Sequence, residues 1–246
     1  MEDTKRLLVT SSPHVRSNRN VRKEMLDVII ALIPAGIAAF YYFGYRSLVL
    51  VLASVLTCVA TETLFNKARK KENTIHDLSA VVTGILLAYN VPFTLPVWQI
   101  VIGAIFAIVV VKMAFGGLGQ NIVNPALAAR AFLLASWSSN MSNFVPPQRV
   151  ATLKHVSDIA SVSAATPLSD PNAYSLMDLF LGNIPGSLGE VSALALIIGF
   201  IYLLIRRVVS FKMPLIYIAT ATILSGLFTG FDNICLLYTS PSPRDS

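Results

Sequence analysis

Seven predominantly apolar runs, at about 25–44, 47–65, 77–95, 97–115, 122–138, 190–205 and 213–230, constrain this chain more than any other feature. A helix needs about 20 such residues to cross the hydrocarbon of a bilayer, where every backbone N–H and C=O must be bonded internally. Composition agrees, with 54% hydrophobic and 13% charged residues against about 45–50% and about 25% in soluble domains. A soluble globule, a disordered chain and a coiled coil are excluded. So is a disulfide scaffold, since two cysteines cannot staple 246 residues. The predicted class is an all-α polytopic membrane protein in contact with a lipid bilayer.

The formal charge of +6 does not indicate a nucleic-acid partner. Fourteen of the 19 Lys and Arg fall at residues 5–23, 67–71, Lys112 and 206–212, each place flanking an apolar run. That is the positive-inside pattern. Residues 1–24 are polar, and the first run continues without a small-residue cleavage site, so the first helix is retained rather than cleaved as a signal. Placing this N-terminal segment in the cytoplasm puts the 67–71 cluster, Arg206, Arg207 and Lys212 inside as well. Trp98, Trp137 and Tyr41, Tyr42 and Tyr45 then lie near the outer interface, where amphipathic aromatics are favoured. The loop 139–189 is accordingly external. The chain divides into a five-helix half at 25–138, that loop, and the start of a second half at 190–234.

Four segments carry information beyond hydropathy. In the first, Gly116, Gly117 and Gly119 break the fourth run and Asn121, Asn124 and Pro125 follow. Irregular backbone at membrane depth persists where it is buried in protein or lines a polar cavity. One reading is therefore a re-entrant turn offering carbonyls and amides to an ion or cofactor. The other is a tight cytoplasmic turn in which Asn121 or Asn124 caps the fifth helix. The second segment is Arg130, which near the bilayer centre costs about 2.5–3.5 kcal/mol even on a lenient scale and needs a partner. Candidates are an anionic cofactor group, a lipid head group or Glu62. Glu62 and Asp77 both lie near cytoplasmic helix ends, and a solvated position is the reading favoured for each.

The third segment is the loop around Asp158, Ser161, Ser163, Ala164, Ala165, Thr166 and Pro167. Small neighbours leave the hydroxyl open, and Pro167 holds Thr166 extended. An enzyme-modified acceptor fits, although composition alone reads as a Ser/Ala-rich loop. The fourth is Gly186-Ser187-Leu188-Gly189-Glu190, a loose echo of Gly116-Gly117-Leu118-Gly119-Gln120. Such paired interruptions in two halves point to a central site. Cys58 reads as a small packing residue. His14, His76 and His155 have no metal-ligand spacing, and no metal site is expected.

The runs at 116–126, 163–168 and 182–190 together resemble the RnfD/NqrB family of membrane proteins, which serve the Rnf electron-transport complex. The likeness to the family's members in the sodium-translocating NADH:quinone oxidoreductase is more distant. The three motifs occur in the family's order, and the resemblance covers about 15–234. It implies a threonine carrying FMN through a phosphoester, installed by a flavin transferase. Carried over, the acceptor is Thr166, with Ser163 and Ala165 as recognition residues and Pro167 beside them. One position departs from the pattern, since the acid usually found six residues before the threonine is replaced by Ala160, with Asp158 two further back.

The resemblance further implies one component of an oxidoreductase, inactive alone, in the cytoplasmic membrane of a prokaryote and assembled with the other Rnf proteins. Electrons from reduced ferredoxin would reach NAD+ with export of Na+ or H+, and a flavin on the external loop would make them cross the membrane and return. A noncovalent flavin is compatible, with no residues assigned to it. Only 24 residues precede the first run, which favours the Rnf relative over the quinone-reducing one. From a different class, a channel or solute transporter with a urea-transporter-like fold would also suit broken helices. The resemblance implies about ten spans, of which the seven runs would be the first. The tail 235–246 matches no span or motif and reads as a non-native scar.

Overall fold

A computed structural model of the protein describes residues 20–70, 74–144, 176–182, 184–190 and 192–229. These residues are helical and contain no strand. Helices α1 (Val21–Phe43) and α2 (Tyr45–Ala68) are joined by Gly44 alone, whose φ of +70° makes the reversal. A 3₁₀ turn at Ile75–Asp77 leads into α3 (Ser79–Tyr89). After an irregular stretch comes α4 (Val97–Phe106), which continues as a π-helix over Ala107–Met113. Then follow α5 (Pro125–Ser136), α6 (Ser138–Ser142), α7 (Leu176–Leu181), α8 (Ala193–Ile205) and α9 (Lys212–Thr229).

Each of the seven apolar runs is thus helical close to its expected bounds. The third stops early, at Tyr89, where Asn90, Pro92 and Pro96 unwind it as their chemistry requires. Only α1 and α2, at 23 and 24 residues, are by themselves long and apolar enough to cross a bilayer among the described residues.

The packing inverts the pattern of a soluble protein. Large apolar side chains such as Ile33, Ile37, Phe40, Leu52, Leu56 and Leu64 face outward. The buried stripe of α2 is instead Ser47, Leu50, Ser54, Cys58, Glu62 and Asn66, at the spacing of three and four that keeps one helix face inward. In α1 the buried stripe is Asp27, Ala31, Ala35, Ala39 and Phe43. Small residues let helices approach when lipid is as apolar as leucine. A Cβ at Gly84 would lie 2.7 Å from Val55 Cα, and Ser54 Oγ donates to the Gly84 carbonyl at 2.8 Å. Likewise a Cβ at Gly199 of α8 would overlap the Ala31 carbonyl of α1.

The two ends of the bundle differ. One gathers Asp27, Glu62, Lys112, the start of α5 and Arg206. At the other, Trp98 and Trp137 meet edge to face at 5.2 Å, and Phe43 stacks on Phe93 at 4.8 Å. There Arg46 bridges the break after α3, its Nε donating to Phe93 O at 2.8 Å and its Nη2 to Thr94 O and Leu95 O at 3.2 Å. Replacing Gly199 by Leu should force α8 from α1 and cost at least about 1–3 kcal/mol. Thermal unfolding in detergent should show a clear drop in midpoint, while Ile201→Ala on the exposed face of the same helix should leave it nearly unchanged.

Candidate functional site

Glu62 stands on the inward stripe of α2, not in a solvated helix end as its position in the sequence suggested. Its side chain, like that of Lys112, is 2% exposed, and Lys112 Nζ donates to Glu62 Oε2 at 2.7 Å. Lys112 is therefore not a solvent-facing flank of its run either. The wider π-turn at Ala107–Met113 rotates it inward, and such π-segments recur at functional sites. The ammonium also donates to Ser79 Oγ at 2.7 Å. Thr74 Oγ1 donates to Glu62 Oε1, and Asn66 Nδ2 donates to Thr74 Oγ1 at 3.0 Å. Ser79 is set in place by Leu78, whose left-handed φ of +58° is costly for a branched side chain. Four elements therefore converge on one buried charge pair.

The glycine turn hangs from the same residue. The Lys112 carbonyl accepts from Gly117 N at 3.0 Å; with the Asn121 amide assigned so that its nitrogen faces these acceptors, it donates to Lys112 O at 3.2 Å and to Gly117 O at 3.1 Å. Gly116, Gly117 and Gly119 have φ of +116°, +107° and +85°, so the turn needs glycine at all three places. Asn124 caps α5 by accepting from Ala126 N at 3.0 Å, with Pro125 at the first helical position. The turn with a capping asparagine is thus the local geometry. It also borders two cavities. A cavity of about 250 Å³ is bounded by Glu62, Asn66, Thr74, Asp77, Ser79 and Gly116 among others. A second, of about 360 Å³, touches Ser79, Thr83, Lys112, Gly119, Asn121 and Asn124.

Arg130, in the middle of α5, faces the other end of α3. Its Nη1 donates to Asn90 Oδ1 at 3.2 Å and lies 3.6 Å from Glu190 Oε1. Glu62 is not its partner, because Lys112 already holds that carboxylate. Glu190 is delivered by the Gly-Ser-Leu-Gly-Glu segment, which lies across the broken end of α3. Leu188 N donates to Val91 O at 3.2 Å and Gly189 N to Tyr89 O at 2.9 Å. A Cβ at Gly189 would overlap the Tyr89 side chain, so the close crossing needs glycine. Ser187 Oγ steadies Glu190 Oε2 at 2.9 Å. The two glycine-interrupted segments accordingly sit at opposite ends of α3 and do not meet at one site. A third pair was not foreseen from sequence: Asp27 Oδ1 accepts from Arg206 Nε at 3.1 Å and Tyr202 OH at 3.2 Å, tying α1 to α8. That hydrogen bond and charge hold the Arg206 guanidinium above its ordinary range.

Thr166, Ser163, Ala165 and Pro167 lie outside the described residues, as do Asp158 and Ala160. The stretches flanking them are described. Thr94 Oγ1 donates to Asn143 O at 3.0 Å before the loop, and Tyr42 OH donates to Leu181 O at 3.0 Å after it. Both flanks are tied to the aromatic end.

Removing one partner of a buried pair costs about 3–5 kcal/mol, whereas replacing both is close to neutral. Lys112→Met alone should therefore lower stability by about that amount, and Glu62→Gln added to it should recover most of the loss. A denaturation series on the two singles and the double reads this directly.

Comparison with known proteins places these observations. The chain matches the model of the NQR2, RnfD, RnfE family over residues 8–242. It is 46% identical over 230 residues to the D subunit of the Na(+)-translocating ferredoxin:NAD(+) oxidoreductase complex of Acetobacterium woodii, covering 93% of this chain and 71% of that protein. It is 35% identical over 240 residues to the D subunit of the proton-translocating ferredoxin:NAD(+) oxidoreductase complex of Clostridium ljungdahlii, covering 92% and 70%. With the D subunit of the ion-translocating oxidoreductase complex of Methanosarcina acetivorans it shares 33% identity over 217 residues, covering 88% and 67%.

Proposed function

Because this chain belongs to the NQR2, RnfD, RnfE family, we propose that it is the RnfD component of an ion-translocating ferredoxin:NAD+ oxidoreductase, a multi-pass protein of the prokaryotic cytoplasmic membrane that carries FMN covalently on Thr166. The seven helical runs are read as spans, with the basic end in the cytoplasm. The observation that carries this reading is the tethering of both loop flanks to the aromatic end, through Asn143 and Leu181. That end is opposite Lys112, Asp27 and Arg206, which supports an outward position for the loop once the basic end is taken as cytoplasmic.

The acceptor chemistry fits the residues present. With only the small residues Ser163, Ala164 and Ala165 before it in sequence, a threonine hydroxyl suits a transferase and can form a phosphoester. An isoalloxazine held there supplies one- or two-electron transfer. The protein's own part is positional. Arg46 and Tyr42 fix the end of the bundle from which the loop departs, and Glu190 with Arg130 fixes the segment by which it returns. Assembly with the other proteins of the complex lets the fall in potential from ferredoxin to NAD+ drive Na+ or H+ outward. Moving one charge against 100 mV costs about 2.3 kcal/mol, which that fall must supply.

Expressed with its flavin transferase and run on a denaturing gel, the wild-type chain should fluoresce under ultraviolet light, and Thr166→Ala should be dark. A dark wild-type band would contradict the reading and favour a transporter without redox function.

A further inference from the structure

At the basic end, α1 and α8 meet in a seam that gathers positive charge. The helices pack closely at Ala31 and Gly199, and Asp27 ties them through Arg206 and Tyr202. Lys23 stands one helical turn before Asp27 on the same face of α1, with Arg22 beside it. Arg206 and Arg207 follow the last turn of α8, and Lys212 opens α9. These five cations are all exposed. Within residues 21–27 and 205–212 they stand against two carboxylates, Glu24 and Asp27, of which Asp27 is buried. The complement of such a surface is an anion.

The apolar neighbours say which kind. Ile205, directly before the two arginines, is 74% exposed, and Phe211, directly before Lys212, is 56% exposed. Leu26 and Ile30 of α1 and Ile201 of α8 carry the exposed apolar surface away from the charges. Basic groups set beside exposed aliphatic and aromatic ones match an interfacial segment, where headgroups meet the cations and acyl chains cover the rest. An acidic soluble surface would answer the cations and leave Ile205 and Phe211 against polar groups.

Arg207 is the sharper signal. It takes a φ of +55°, while its N donates to Leu204 O at 3.0 Å and Val208 N donates to Leu203 O at 3.1 Å. These are the bonds of a Schellman ending, whose left-handed place is usually glycine. Strain of this kind is concentrated where a side chain clamps a ligand. The helix dipole favours a cation here, but Arg206 supplies one without left-handed backbone.

We propose that this mouth of the α1–α8 seam binds the phosphate of an anionic phospholipid, with Lys23 and Arg207 as donors and the acyl chains on the apolar faces of both helices. The lipid bridges the two helices beside the Asp27 and Arg206 pair. This goes beyond the proposed function and needs from it only that α1 and α8 lie in a bilayer.

The test uses the full chain in nanodiscs of phosphatidylcholine, alone or mixed with phosphatidylglycerol. Native mass spectrometry should show phosphatidylglycerol retained in preference, and the unfolding midpoint should be higher in the anionic discs. Lys23→Gln should weaken the preference about fivefold. Arg207→Gly should weaken it as much, yet in phosphatidylcholine alone it should be at least as stable as the wild type, because glycine suits the left-handed backbone. That opposition separates a lipid-binding arginine from a merely structural one. Equal retention of the two lipids by the wild type would overturn the proposal, and so would an undiminished preference in both variants. An equal rise in midpoint from inorganic phosphate in phosphatidylcholine discs would also overturn it, by assigning the site to a free anion. The flavin band on a denaturing gel does not depend on any of these outcomes, so the reading of Thr166 stands or falls separately.

Discussion

The ion pair between Lys112 and Glu62 holds together the end of the bundle on which the rest of the structure depends. Through Nζ, Lys112 fastens α4 to α2 and to the start of α3. Through its carbonyl it suspends the glycine turn that leads to α5. A charge pair taken out of water is a poor source of net stability, because desolvation offsets most of the attraction. What it supplies is register, since with either partner absent the other would be a lone buried charge. The π-turn and the left-handed Leu78 are both unfavourable locally and are tolerated because they complete this pair.

The opposite end is built on different physics. There the helices stop short, and carbonyls freed by Asn90, Pro92 and Pro96 must be satisfied without water. Arg46 serves three of them, and the backbone of the Gly-Ser-Leu-Gly-Glu segment serves two more. That segment also brings Glu190 to Arg130, so the charge inside α5 is answered by a segment from much later in the chain. The stretches on both sides of the loop that holds the proposed acceptor are in this way anchored to the bundle. The bundle therefore has a buried ion pair at the basic end and tethers for both loop flanks at the aromatic end.

Much of this was legible in the sequence. Helix positions followed from the apolar runs, while one asparagine and two prolines within seven residues mark where α3 unwinds. A capping asparagine was legible as one of two readings, with Asn121 and Asn124 both candidates, and Asn124 fills the place directly before Pro125. The pairings were not legible, because each joins residues far apart in the chain. Lys112 read as a flank because a π-turn cannot be seen in hydropathy, and one extra residue in the turn changes which face it occupies. Glu62 read as a helix end because α2 runs one turn further than its apolar residues. The stripe Ser54, Cys58, Glu62, Asn66 held the missing signal, a polar face at helical spacing where lipid contact would demand apolar residues. Glu190 was singled out, but nothing local joined it to Arg130.

The central claim is that this scaffold presents a threonine bearing flavin. Mass spectrometry of the chain purified from membranes of cells that contain the transferase tests it most directly. The peptide spanning residues 163–168 is predicted to carry the mass of FMN less one water, located on Thr166. Recovery of that peptide unmodified throughout, with Thr166 bare, would contradict it.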